Sequence, residues 1–167
     1  MHLLSFCQWL DNTSISTAIR HYRWLFGAFD AIHTLGIICV VGTIIIVDLR
    51  LLGLSLRGLR VSEMTSRIAP LIRWGFGAVF LSGLLLFTSE AEKMYYNPAF
   101  RIKLLALCLI GANATVFHGI VYRDVANWDD APTPPPRVRL AGLLSLVFWL
   151  AIIAAGRAIA YMPQYDQ

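Results

Sequence analysis

Four long runs of uncharged, mostly apolar residues constrain the fold of this chain more than any other feature. They occupy residues 31–47, 74–89, 104–122 and 140–156. Each run becomes a span of about 20 residues, enough to cross a bilayer, once the flanking Lys, Arg and aromatic residues are included. Backbone groups in hydrocarbon must be hydrogen-bonded within their own segment, so these runs are predicted to be helices. The predicted fold class is an all-α membrane protein, a bundle of four transmembrane helices.

Composition excludes several classes of function. Of the 167 residues, 57% are hydrophobic and only 14% are charged, against roughly a quarter charged in an average soluble domain. The net charge is +4, with basic residues scattered between the apolar runs, so nucleic-acid binding is not expected. No nucleophile with a paired base, phosphate-binding loop or metalloprotease motif is found in the sequence, which argues against hydrolytic or transferase catalysis.

The chain divides into two predicted regions. Residues 1–23 are too polar to span a membrane, but Leu3, Phe6 and Trp9 belong to an apolar cluster. Such a segment is predicted to lie in the membrane interface. Residues 24–163 form the single transmembrane domain. Pro70 and Pro98 are predicted to stand just ahead of the second and third helices, where a proline loses no helical hydrogen bond.

The distribution of basic residues predicts the topology. The two loops that join the first helix to the second and the third to the fourth, with their helix ends, contain eight Arg residues. The opposite side contains six Lys and Arg residues. Since loops rich in basic residues stay in the cytoplasm, both termini are predicted to be periplasmic.

Ionisable and polar side chains inside the spans are candidates for function because they are costly in hydrocarbon. Neutral imidazole is a common ligand of haem iron and copper, so His33 and His118 are candidate metal ligands. Asp30 lies one turn from His33 and could orient its ring. The alternatives are an interhelical hydrogen bond for each histidine, close packing of small residues around His118, and extension of Lys103 to the headgroups.

The two histidines are predicted to lie at different depths. Counting from the outer helix ends, they are offset by about eight to eleven residues, or roughly 12 to 16 Å. One haem between them would require strongly tilted helices. We therefore expect one histidine to act with another sixth ligand, such as Lys103 or His21, or the two to serve separate sites.

A face of small residues is predicted on the fourth helix. Alanines at positions 151, 154, 155 and 158 repeat at helical spacing, and small residues allow membrane helices to approach closely. Ala155 is the residue at which a larger side chain is expected to disturb packing.

Motifs along nearly the whole chain resemble those of an uncharacterised family of bacterial inner-membrane proteins with four predicted spans. The motifs are HTLG at 33–36, DLRLLG at 48–53, NPAFRIK at 97–103, NATVFH at 113–118, WD at 128–129 and GRAIAY at 156–161. The resemblance implies a multi-pass protein of the bacterial inner membrane and brings no established activity.

A more distant likeness is to the copper-resistance D membrane proteins and to small haem-containing membrane protoporphyrinogen oxidases. The latter have a histidine in the first helix and a lysine at the start of a later one, which His33 and Lys103 resemble. The leading hypothesis is a b-type cytochrome-like protein that binds haem b and passes electrons with other membrane subunits or a periplasmic redox partner. The alternatives are a cofactor-free accessory subunit and a copper-handling protein.

Overall fold

A computed structural model describes residues 2–162, except the side chains of His2 and Arg23. Residue 163, the predicted end of the membrane domain, lies outside the described residues. The described chain is helical and contains no strand. Its helices are α1 (His2–Asp11), α2 (Ser14–His21), α3 (Arg23–Leu51), α4 (Val61–Ser89), α5 (Ala91–Tyr96), α6 (Pro98–Val116) and α7 (Pro136–Ile159).

Four helices, α3, α4, α6 with its continuation, and α7, are long and apolar enough to cross a membrane. The predicted fold class is confirmed. At 29 residues, α3 and α4 are each about 43 Å long at 1.5 Å per residue. They exceed the roughly 30 Å of hydrocarbon, so their ends extend beyond the four apolar runs seen in the sequence.

The four long helices pack as neighbouring pairs. The α3 helix packs along α4, α6 packs along α7, and α3 also contacts α7, whereas α4 and α6 do not form a packed pair. Glycines allow the closest approach: a Cβ at Gly36 would lie 2.6 Å from Val79, and a Cβ at Gly75 would lie 2.7 Å from Val40. Small residues at such contacts are what membrane helix interfaces require.

The bundle has two distinct ends. At one, which we call the cap end, the short helices α1, α2 and α5 pack on α3 and α4. At the other, the loop end, residues 52–60 and 128–135 connect the long helices. Two apolar clusters form the core. The loop-end cluster comprises Leu51, Val61, Phe117, Val121, Trp128 and Val138, and the mid-bundle cluster comprises Val41, Ala106, Trp149 and Ile152.

One proline was placed correctly by the sequence and one was not. Pro98 occupies the first turn of α6, after Asn97, whose side chain accepts hydrogen bonds from Ala99 and Phe100. Pro70, however, lies inside α4. The helix begins nine residues earlier, at Val61, because the Asp129 carboxylate accepts a hydrogen bond from the Ser62 amide, 2.8 Å away. This cap comes from a distant segment, and no local pattern predicts it.

The packing face of α7 includes only part of the predicted alanine face. Ala155 is buried, together with Trp149 and Ile152, and Ala151 is half-buried. Ala154 is exposed. Adjacent helical residues point about 100° apart, so Ala154 and Ala155 cannot both face the same neighbour.

The short helices at the cap end are joined by polar contacts. The Asp11 carboxylate accepts hydrogen bonds from the amides of Ala91 and Glu92, at 2.9 and 3.0 Å, and so caps α5. Arg20 donates to the Ser89 carbonyl at 3.0 Å and pairs with Asp11. The apolar side chains of Leu3, Phe6 and Trp9 are exposed, as expected of a segment that contacts a membrane interface.

Candidate functional site in the membrane domain

The imidazole of His33 links α3 to α4. Its Nδ1 lies 2.9 Å from the Val79 carbonyl oxygen and 3.2 Å from the Ser82 Oγ. A carbonyl can only accept, so Nδ1 carries the hydrogen. The Ser82 hydroxyl in turn donates to the Ala78 carbonyl at 2.6 Å. In a neutral imidazole this arrangement selects the tautomer in which Nε2 has a free lone pair, the form in which a histidine binds a metal.

The ring of His33 lies against Gly83. A Cβ built at Gly83 would be 2.7 Å from the His33 Cε1 and 3.7 Å from Nε2. No side chain larger than hydrogen fits at position 83 without displacement of the ring. Gly83 is therefore a positioning residue for His33, and nothing in its sequence context identified it.

Lys103 is the second ionisable group in this region. Its side chain is half-buried, and its Nζ lies 3.9 Å from the position of a Cβ at Gly156 of α7. The Lys103 ammonium is close enough to His33 for the two groups to interact electrostatically. Within residues 2–162, Lys103 makes no salt bridge. The structure thus brings His33 and Lys103, from two different helices, into one region of the cap-end half.

An aromatic pair joins α4 to α6 on the cap side of this region. The rings of Phe87 and Phe100 are stacked, with centroids 5.4 Å apart and planes at 6°. Since α4 and α6 do not otherwise pack along each other, this stack is a bridge between them. We call the region that contains His33, Lys103 and this stack the cap-end site.

Asp30 does not make the contact with His33 that the sequence suggested. Its side chain is exposed, and it interacts with His33 only as a nearby charge. The hydrogen-bond partners of Nδ1 are instead Val79 and Ser82 on α4. The partner differs from the prediction because the register of α3 against α4 presents a backbone carbonyl to the ring.

Of the other histidines whose side chains the structure describes, His118 lies at the opposite end of the bundle from the cap-end site. His118 belongs to the π-helical turn Phe117–Val121 at the loop end and is exposed. Its ring contacts Phe117 and Tyr122 edge-on, with centroids 5.3 and 5.6 Å apart. His21 is exposed at the end of α2, against Tyr22. The predicted difference in depth between His33 and His118 is thus present in the structure.

Arg50 organises the loop end, and the sequence did not identify its partners. The side chain is completely buried. Its Nε donates to the Leu59 carbonyl at 2.8 Å, and its Nη2 donates to the carbonyls of Asp129 and Ala131, at 3.0 and 3.2 Å. The guanidinium thus ties the end of α3 to both connecting loops. Hydrogen bonds from a charged donor contribute more than neutral ones, about 1.5 to 3 kcal/mol each.

Several other residues of the sequence motifs also connect distant segments of the chain. The Asn97 amide donates to the Ile159 carbonyl at the end of α7, at 3.3 Å, and the Asn113 amide donates to the Ala141 carbonyl, at 3.0 Å. Gly53 has a positive φ of 71°, which favours glycine, and packs against Pro134. These contacts explain motif residues by structure, without reference to a ligand.

The fold and the cap-end site define a class of protein: a multi-pass helical membrane protein with an imidazole and an amine inside its membrane domain. Within residues 2–162, no three His, Cys, Asp or Glu side chains form a group able to hold a metal ion. Residues 6–162 match the model of the family of unknown function DUF6644, and the chain belongs to that family.

No curated protein and no solved structure matches the chain. The match to a family of unknown function confirms the predicted resemblance to an uncharacterised family. The comparisons give no support to a likeness with the copper-resistance D or haem-containing proteins.

Proposed function

We propose that this protein is a b-type cytochrome-like membrane protein that binds haem b through Nε2 of His33 and transfers electrons. The observation that carries the proposal is the hydrogen bond from Nδ1 to the Val79 carbonyl. It holds the ring in the metal-binding tautomer and fixes its orientation, as partners of ligating histidines do.

The donor set at the cap-end site is chemically suited to haem iron. Neutral imidazole is a common ligand of haem iron, and His33 would hold the group, with the Lys103 amine as the candidate for a further ligand. The absence of a side chain at Gly83 allows the His33 ring its position against α4, and the Lys103 Nζ lies 3.9 Å from the position of a Cβ at Gly156. Haem supplies one-electron chemistry when bound, and the protein supplies ligands and orientation. Ser82 and Val79 hold the His33 proton at Nδ1, and the Phe87–Phe100 stack joins α4 to α6 on the cap side.

Titration of the purified full-length protein with hemin tests this proposal. We expect a Soret band that saturates with wild-type protein and does not form with His33→Ala. Lys103→Met should change the band positions, because it removes the candidate second ligand. Lys93→Met is the matched control, since Lys93 pairs with Glu90 at the cap end. Equal spectra for wild type and His33→Ala would contradict the proposal.

A cofactor-free accessory subunit is the second candidate. The observation that favours it is the same Nδ1 contact considered as a structural link, because the ring already bridges α3 and α4. Such interhelical hydrogen bonds contribute only about 0.6 kcal/mol on average. The hemin titration separates the two candidates, since a structural histidine binds no haem. Copper handling is a further alternative, for which the described residues offer no comparable contact.

The proposed setting is the bacterial inner membrane, with the cap end and both termini in the periplasm. The eight basic residues on the loop side, against six on the cap side, support this orientation. The cap-end site would then lie in the outer half of the membrane. That position suits electron exchange with a periplasmic redox partner or with another membrane-protein subunit.

A further inference from the structure

The membrane domain contains a buried acidic group that the proposed function does not use. Asp48 lies on α3, one turn before the helix ends at Leu51, and only 4% of its surface is exposed. The α7 backbone covers it: a Cβ at Gly142 would lie 3.2 Å from the Asp48 carbonyl oxygen and 3.7 Å from its Cα. Gly142 thus allows the backbone of α7 to approach the backbone of Asp48 closely.

The carboxyl group of Asp48 is incompletely paired. It interacts with the Ser145 side chain on α7, whereas Oδ2 is buried and has no partner among the described residues. Arg50 is close in sequence, but its side chain is directed to the carbonyls of Leu59, Asp129 and Ala131. Residues two apart on a helix do not face each other.

No cation in the described part of the chain compensates a charge on Asp48, because none of its ion pairs includes this residue. The other ionisable groups at this end of the elements around it are exposed. They are Arg60 just before α4, Glu63 on α4, His118 on the π-helical turn, and Arg137 and Arg139 on α7. Arg60 and Arg137 pair with Asp130 and Asp124.

We propose that Asp48 is a proton-binding site inside the membrane domain, with the proton carried on Oδ2. A buried carboxylate without a cation is costly, and a neutral carboxylic acid avoids most of that cost. On binding, a hydronium ion from the loop end gives its proton to Oδ2: an O–H bond forms on Oδ2, an O–H bond of the hydronium ion breaks to leave water, and the negative charge is neutralised. Release reverses the step. The site is independent of haem, so it stands or fails separately from the proposed function.

A hydrophobic carbodiimide tests this proposal on the full-length protein in lipid vesicles at neutral pH. The reagent adds to a protonated carboxyl group, and the product increases the peptide mass by one carbodiimide. A water-exposed Asp is ionised at pH 7, since its ordinary pKa is about 3.9. We expect label on the peptide that contains Asp48, loss of that label in Asp48→Asn, and no label on the exposed Asp130.

Infrared spectroscopy decides the matter if the reagent cannot reach Asp48 or the variant does not fold. A protonated carboxyl group has a carbonyl stretch distinct from that of a carboxylate. The wild-type protein should show this band at neutral pH, lose it as the pH is raised, and lack it in Asp48→Asn. Asp130→Asn should retain it. A wild-type spectrum without the band at neutral pH, in folded protein, would overturn the proposal.

Discussion

The ring of His33 occupies the space that any side chain at Gly83 would need. A Cβ at Gly83 would lie 2.7 Å from Cε1 of His33, closer than nonbonded atoms approach, and 3.2 Å from its Nδ1. The position of the imidazole thus depends on a glycine on the neighbouring helix. This relationship and the bond to Val79 together set the direction in which Nε2 points.

Replacement of Gly83 by Ala should displace His33 and destabilise the protein. The change would weaken the Nδ1 contact with Val79 and force the ring or α4 to shift, and overpacking of this kind costs about 1 to 3 kcal/mol. Thermal unfolding in mild detergent measures the loss.

Gly77→Ala is the matched control, because a Cβ at Gly77 meets nothing within 4 Å. Alanine is favoured over glycine inside a helix by about 1 kcal/mol, so Gly77→Ala should leave stability unchanged or increase it. Equal effects of the two substitutions would show that Gly83 does not position His33.

Replacement of Ala155 by Leu should destabilise α7 packing. Ala155 is 6% exposed, so the larger side chain cannot be accommodated without a shift, at a cost of about 1 to 3 kcal/mol. Ala154→Leu is the matched control, since Ala154 is exposed on the adjacent position. Detergent unfolding should separate the two variants. A stable Ala155→Leu protein would indicate that this face is more loosely packed than the structure indicates.

The hydrogen bonds between the Asp129 carboxylate and the start of α4 should weaken in acid. The pKa of Asp129 is lowered from its ordinary 3.8: burial, the largest single effect, raises it, but hydrogen bonds from Ser62 and the charge of Arg60 together outweigh burial. A carboxyl group with a lowered pKa stabilises the fold above its ordinary value. This stabilisation is lost as the pH falls through the lower folded value.

Thermal unfolding across this acidic range measures the effect. Asp129→Ala should lose about 1 kcal/mol at neutral pH, as expected for loss of a helix cap, and should show a weaker dependence on acid. Asp124→Ala is the control, because Asp124 forms only an exposed pair with Arg137. If the stability of Asp129→Ala depends on acid as strongly as that of the wild type, other groups cause this dependence.

The topology can be tested with reporter fusions in the first loop-end segment and at the C-terminus. The bias in basic residues predicts cytoplasmic activity for a fusion at Arg60 and periplasmic activity for a C-terminal fusion. A fusion between α4 and α6, near Glu92, should behave as the C-terminal one does. Cytoplasmic activity from the C-terminal fusion would reverse the orientation and place the cap-end site in the inner half of the membrane.

The sequence predicted the parts of this fold that depend on hydropathy, but not those that depend on contacts between distant segments. Apolar runs and flanking charges predicted four spans and the first-turn position of Pro98. The start of α4 could not be predicted, because it depends on Asp129, which lies 67 residues from Ser62.

The cap-end site was predicted only in part for the same reason. His33 and Lys103 were identifiable because ionisable groups are unusual in a span. Their orientation could not be predicted, because Val79 contributes a backbone carbonyl, which every residue has, and Gly83 contributes the absence of a side chain. Both become visible only when the register between α3 and α4 is known.

The haem content of protein purified in mild detergent from cells that make haem tests the central claim most directly. We predict a Soret band and reduced-state bands with stoichiometric haem. The bands should be lost in His33→Ala and retained in His118→Ala, since His118 lies at the opposite end of the bundle. A folded wild-type protein without haem would contradict the account. Loss of the bands in His118→Ala alone would move the haem to the loop end.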